Sequence, residues 1–196
     1  TFPRNGCHTS DLFFHSDFVV NVHILGLKIY ECQTISTDSL TNFFVLNFIV
    51  KDVMISRNVV NHYLLYLQDS NLAYFENVSF EDNTIVMNIL AVNINILKTF
   101  ACFKNMKAFN VTNASIIKGL NSNILIKDTE ISYVRFDVSI TGGLFVEYSL
   151  LSINSSIFYS NLNPVLSLKD SNLFVSFVIM SLNDIDETKA SDILIN

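Results

Sequence analysis

Short apolar runs separated by Asn, Asp and Ser recur along the whole chain, at 43–50, 63–67, 85–97, 124–126, 144–146, 165–168 and 173–179. Ile, Val, Phe, Tyr and Thr dominate them, the residue types that suit a pleated, half-buried surface. Polar punctuation of this kind bounds strands. A helix over 40–67 is disfavoured by its β-branched density and by the missing Ala, Glu and Lys pattern. The pattern therefore predicts an all-β chain. Tight hairpins normally spend Gly and Pro, above all as Asn-Gly or Asp-Gly. Here Asn-Gly occurs once, at Asn5-Gly6, Asp-Gly never occurs, and the whole chain has 5 Gly and 2 Pro. The corners must be built differently, and Asn can stand in for Gly because it tolerates the left-handed region and bonds nearby backbone.

An internal repeat agrees with this. Leu65-Tyr-Leu-Gln-Asp-Ser-Asn-Leu72, Leu166-Ser-Leu-Lys-Asp-Ser-Asn-Leu173 and Ile124-Leu-Ile-Lys-Asp-Thr-Glu-Ile131 share one form, as do 48–55, 89–96 and 109–116. The template is two apolar residues at strand spacing, an Asp or Asn two places on, and an apolar residue three beyond it. Its first three marked positions keep a strand's period of two, and the last breaks parity, as a corner does. Ten positions match, against about four expected when half of all residues are apolar. The Asp/Asn positions of the six quoted copies are 52, 69, 93, 113, 128 and 170, with steps of 17, 24, 20, 15 and 42.

Irregular coils near 20 residues, many short strands, Asn at corners and few glycines resemble the right-handed parallel β-helix, the pectin-lyase-like class, over roughly residues 40–182. The resemblance implies coils stacked about 4.8 Å apart. It also implies interior stacks of Phe, Ile and Val, and a corner ladder of Asp52, Asp69, Asn93, Asn113, Asp128 and Asp170. Asp52 and Asp69 would then be neighbours, and like charges in register repel. The expected organisation is an N-terminal cap or incoming segment with the first strands (1–40), β-helix coils (41–182) and a polar C-terminal segment (183–196) that continues into a longer chain. The alternative fold is an antiparallel β-sandwich. Pro3, His8 and His15 read as part of the cap.

Composition sharpens the picture. Half the residues are hydrophobic and 15% are charged, which excludes disorder. A formal charge of −6 argues against a nucleic-acid partner, since phosphates need clustered Lys and Arg. The longest strongly apolar stretches, 40–50 and 84–97, fall short of the roughly 20 residues of a transmembrane helix. Low charge with no far cap points to self-assembly or to the remainder of a larger parent chain, because soluble monomers rarely leave a large apolar face bare.

Candidate chemistry is sparse. Sequons at Asn77, Asn110, Asn113 and Asn154 number what chance gives, so they permit secretion without arguing for it. Cys7 and Cys32 pair if their segments stack, leaving Cys102 free; otherwise all three are small buried residues. The resemblance would bring acidic-polysaccharide cleavage, yet the Gly-His-Gly, paired-Asp and Arg-x-Lys segments of such hydrolases are absent. Lyases of the class use acids with Ca²⁺ and an Arg base; Asp128, Glu130, Arg135 and Asp137 are the only acidic cluster with an Arg, and a solvated strand edge explains them. His8 and His15 near Cys7 and Asp11 match no metal-ligand spacing. Asp184, Asp186 and Glu187 supply too few oxygens for Ca²⁺. The sequence thus predicts a non-catalytic structural or adhesive segment of an extracellular or surface glycoprotein, with no cofactor and no metal. The alternative is a β-helix that binds or cleaves polysaccharide.

Overall fold

The computed structural model describes residues 7–9, 14–34, 39–60, 63–85, 92–112, 115–134, 143–161, 165–181 and 193–195. Every strand pairing among them is parallel, and the chain winds as a β-solenoid of about five turns. The antiparallel sandwich is excluded, and the described residues of 40–67 form the strands Ser39–Ser56, Val59–Val60 and Tyr63–Gln68, with no helix among them.

Three faces make up each coil. On the first, Phe14–Leu25, Ser39–Ser56, Leu72–Glu81, Phe100–Lys104, Asn123–Lys127, Leu150–Tyr159 and Asn172–Ser181 lie side by side. The longer of these strands turn onto the second face, which Lys28–Tyr30, Lys107–Phe109 and Glu130–Ser132 complete. The third face begins with the starts of Phe14–Leu25 and Ser39–Ser56 and runs through Tyr63–Gln68, Val92–Leu97, Ser115–Leu120, Leu144–Glu147, Leu166–Lys169 and Ile193–Ile195. A small sheet of Cys7–Thr9, Cys32–Thr34, Val59–Val60 and Thr84–Ile85 follows the second face.

The corners are single residues in the left-handed region. Seventeen non-glycine residues among those described have positive φ, and all of them fall at three corners. The first corner stacks Gly26, Asp52, Asn77, Asn105, Asp128, Ser155 and Phe177. The second stacks Glu31, Arg57, Asp82, Asn110, Tyr133 and Ser160; the third, Asp69, Lys98, Asn121, Tyr148 and Asp170. Asn and Asp hold nine of these positions because they reach positive φ at least cost. Successive first-corner positions give turns of 22 to 28 residues, longer than the 20 or so read from sequence.

The residue after each corner points inward, where its backbone N–H needs a partner. At the third corner a Ser/Thr ladder provides it. The N–H groups of Ser70, Thr99, Ser122 and Ser149 donate to the hydroxyls of Thr99, Ser122, Ser149 and Ser171 in the next coil, at 2.9–3.2 Å. The hydroxyls of Thr99, Ser122, Ser149 and Ser171 in turn donate to the carbonyl two residues back. At the second corner buried Asn does the same work. Asn58 donates from its backbone and its side chain to Asn83 Oδ1, both at 3.0 Å, and Asn83 Nδ2 donates to the Ile55 carbonyl at 2.8 Å. Asn161 repeats the device with Val134 and Ile131. Buried polar groups are tolerated here because each is paired.

The core is a set of inward columns. On the first face, Phe48, Ala73, Ala101, Ile124 and Leu151 lie in register, and two residues along lie Val50, Phe75, Phe103, Ile126 and Ile153; all are buried. Bulk alternates between the columns: Phe48 shares its rung with Val50, whereas Phe75 and Phe103 share theirs with Ala73 and Ala101. The space each rung must fill is thereby matched. Phe75 stacks on Phe103 with centroids 4.6 Å apart, and Phe48 meets Phe75 edge-on at 5.8 Å. On the third face Gly119 stands where an added Cβ would lie 2.3 Å from Ile124 Cδ1, so the isoleucine fills the space a side chain would take.

Parallel pairing also occurs within 1–40, where the first strands were expected, and within 183–196. Phe14–Leu25 and Lys28–Tyr30 already pair as coil strands, and Ile193–Ile195 pairs with Leu166–Lys169.

Candidate functional site

Outward side chains also stack in columns, and these carry the surface chemistry. On the first face Lys51, Glu76, Lys104 and Lys127 follow one another from coil to coil. Glu76 lies between two ammonium groups, 2.9 Å from each of Lys51 and Lys104. Hydrogen bonds from Lys104 and then Lys51 hold its carboxyl down from the usual 4.5 to about 2. A carboxylate whose pKa is depressed on folding adds stability above its unfolded pKa and loses it as pH falls through the folded value. Glu76→Gln is therefore expected to flatten the decline in thermal midpoint between pH 4.5 and pH 2, with the two proteins converging at the acid end and in high salt. A set of melting curves against pH checks this.

The second face and corner hold an aromatic cradle. The outward column Glu81, Phe109, Ser132, Tyr159 puts a small buried residue between two rings. Two rungs separate the ring-bearing residues, about 9.6 Å along the solenoid axis. Tyr133, at the corner beside them, meets Phe109 edge-on at 5.4 Å and 71°, and Tyr159 at 5.5 Å and 78°. The neighbouring outward column adds Lys107 and Glu130. The resulting notch has a volume of about 330 Å³ and is lined by Glu81, Lys107, Ala108, Phe109, Glu130, Ser132 and Tyr159. Sequence reading did not find it. Its residues are 78 positions apart at the extremes, and only the coil register, which the repeat left open, aligns them.

Five of the six residues expected to form one corner ladder divide between two corners and a strand. Asp52 and Asp128 share the first corner, and Asp69 and Asp170 share the third. Asn93 lies within Val92–Leu97, and Asn113 lies outside the described residues. The expected repulsion between Asp52 and Asp69 therefore does not arise. Asp52 instead accepts a hydrogen bond from Asn77 Nδ2 at 2.8 Å, and Asn77 accepts one from Asn105 Nδ2 at 2.7 Å. Asn110 donates to Asp82 in the same way at the second corner.

Of the sequon residues, Asn77 and Asn110 are exposed at corners, and Asn154 is half-buried on the first face. Cys7 and Cys32 are Cα partners in adjacent parallel strands. Cys102 is free and half-buried, and burial pushes its thiol pKa up, which opposes nucleophilic use. Asp11, Arg135, Asp137, Asp184, Asp186 and Glu187 lie outside the described residues. No helix among the described residues is long and apolar enough to cross a membrane. No model of a known protein family matches the chain, and no curated protein matches it.

Proposed function

We propose that the chain is a non-catalytic structural or adhesive β-helical segment of a larger extracellular or surface protein or assembly. The observation that carries this reading is the state of the last first-face strand, Asn172–Ser181. It pairs on one side with Leu150–Tyr159 and has no partner on the other among the described residues. Val175 is 48% exposed, although Val50, Phe75, Phe103, Ile126 and Ile153 in its column are all buried. Phe177 is 85% exposed at the corner of the same strand. A long apolar strand edge is a template for further pairing. Another parallel coil, from the rest of a longer chain or from a second copy, would continue the columns. Parallel crossovers are right-handed in about 98% of cases, which supports the right-handed, pectin-lyase-like form of the helix.

The isolated chain is accordingly expected to self-associate as concentration rises, by sedimentation velocity. A variant with Val175→Lys and Phe177→Asp should stay monomeric, since charge blunts an edge and Asp accepts the left-handed corner. A single 22.2 kDa species at every concentration, unchanged by the variant, would count against the reading. Extracellular residence rests on the exposed corner positions of Asn77 and Asn110 as glycan acceptors and on the Cys7–Cys32 register as a disulfide. Adjacent parallel strands lie about 4.8 Å apart, within the Cα range of a disulfide. Intact mass of protein from a secreting host, before and after deglycosylation and reduction, reports both; an unmodified, fully reduced chain would argue for another compartment.

A further inference from the structure

The outer side of the first face is apolar where that of the second face is polar. Two adjacent outward columns place Ile49, Tyr74, Cys102 and Leu125 beside Leu72 and Phe100. Leu72 is 36% exposed and Phe100 45%, and the other four are half-buried. At the matching coils an outward column of the second face reads Met54, Ser79, Lys107 and Glu130. A contiguous apolar patch facing water marks an interaction surface. The salt-bridged column of Lys51, Glu76, Lys104 and Lys127 borders it on the side of the first corner.

The patch matches itself. A second copy laid on it face to face is related by a two-fold axis that runs along the strands, midway between Leu72–Glu81 and Phe100–Lys104. This operation keeps position along the strand and reverses the order of coils, so each outward column meets its own copy. Leu72 then faces Phe100, Tyr74 faces Cys102 and Glu76 faces Lys104, each pair occurring twice. One coil further out, Asn47 faces Asn123 and Ile49 faces Leu125. Large rings thus meet smaller side chains, and carboxylates meet ammonium groups. Only Lys51 and Lys127 meet as like charges, and Lys51 is drawn aside to Glu76 at 2.9 Å and to the Tyr74 ring, 5.4 Å from its centre. A two-fold axis along the solenoid would instead set Leu72 and Phe100 against charges. Six coils at about 4.8 Å and five strand residues at about 3.3 Å give a footprint of about 500 Å² per copy. The two copies together reach about 1,000 Å², the lower bound of a specific interface.

We infer that the outer side of the first face is a lateral pairing surface for a second copy of this chain, with the two solenoid axes antiparallel. The contact is separate from the open strand Asn172–Ser181 and does not depend on it. An interface of this size has a dissociation constant of about 0.1–1 mM, so a chain whose end strand is blocked stays monomeric at about 10 μM. There Phe100 counts as a surface residue in unfolding. Copies joined end to end would present several faces at once and pair far more tightly.

Small-angle X-ray scattering of the Val175→Lys, Phe177→Asp chain tests it, because the end contact is already removed there. The scattering mass should rise from 22.2 kDa toward twice that value between about 0.05 and 2 mM. Adding Phe100→Lys should hold the chain at the monomer mass, as should Glu76→Lys or Lys104→Glu alone. An equimolar mixture of the Glu76→Lys and Lys104→Glu chains should regain the dimer, since every facing pair at that position is again opposite in charge. Lys107→Gln, on the second face, should change nothing. Circular dichroism checks each fold, and Phe100→Lys carries the test alone where a charge variant does not fold. The inference is overturned if the end-blocked chain stays a monomer up to about 2 mM. It is equally overturned if Phe100→Lys leaves association intact, or if the mixture of folded charge variants associates no better than its components. Each of these results leaves the role of Asn172–Ser181 standing, since self-association of the unblocked chain at low concentration tests that separately.

Discussion

Phe75→Ala is expected to lower the unfolding free energy by about 3–5 kcal/mol, the usual cost of removing a buried aromatic side chain. Phe75 is 1% exposed, stacked on Phe103 and met edge-on by Phe48. Its rung partner is Ala73, which cannot expand into the space left behind. In a solenoid the loss falls on the interfaces that couple one coil to its two neighbours. Cooperativity should therefore drop along with stability. Urea unfolding followed by circular dichroism should show a lower midpoint and a broader or two-step transition. Phe100→Ala, on the outer side of the same sheet, should cost no more than about 0.5 kcal/mol. Equal costs for the two would mean that Phe75 does not face a packed interior.

Asn83→Leu carries the second large effect. Leucine keeps the branching and heavy-atom count of asparagine, and what it cannot supply is the hydrogen bonding. The substitution strips the Ile55 carbonyl of its Asn83 Nδ2 donor, and it removes the acceptor of the Asn58 backbone and side-chain N–H groups in a wholly buried corner. Each buried polar group left unpaired costs about 1–3 kcal/mol, so a total of about 3 kcal/mol or more is expected in denaturant unfolding. A double-mutant cycle with Asn58→Leu should give a coupling energy of about 1 kcal/mol or more. Strict additivity would mean that the two side chains do not bond across coils.

These residues also show what could be read from the sequence alone. The strand type, the parallel stack and the use of Asn and Asp as corner residues were legible because they follow from local rules: β-propensity, scarce hairpin glycines and tolerance of positive φ. Asp52, Asp69, Asp128 and Asp170 are indeed corner residues. They occupy two different corners, because the repeat template responds to any strand followed by a left-handed residue. The 17-residue step from Asp52 to Asp69 crosses from one corner to another and made the coils look too short. Glu31, Arg57, Lys98, Tyr133, Tyr148 and Phe177 also have positive φ, and nothing in their residue types announces it. A sharper signal was present at the third corner, where Asp69-Ser70, Lys98-Thr99, Asn121-Ser122, Tyr148-Ser149 and Asp170-Ser171 place a hydroxyl directly after the corner. The aromatic notch was hidden for a different reason. Phe109, Tyr133 and Tyr159 meet only when the register between coils is fixed, and turns varying from 22 to 28 residues erase any constant spacing.

The central claim is that successive turns of the chain lie parallel with one fixed register. Electron-spin distance measurements along the first corner test it most directly. With the native cysteines replaced, one label is fixed at position 177 and the other moves through positions 52, 77 and 105. The column places these five, four and three rungs away. The predicted Cα separations are about 24, 19 and 14 Å, falling by about 4.8 Å at each step. Distances that fail to shorten in that order would contradict the parallel stack and everything built on it.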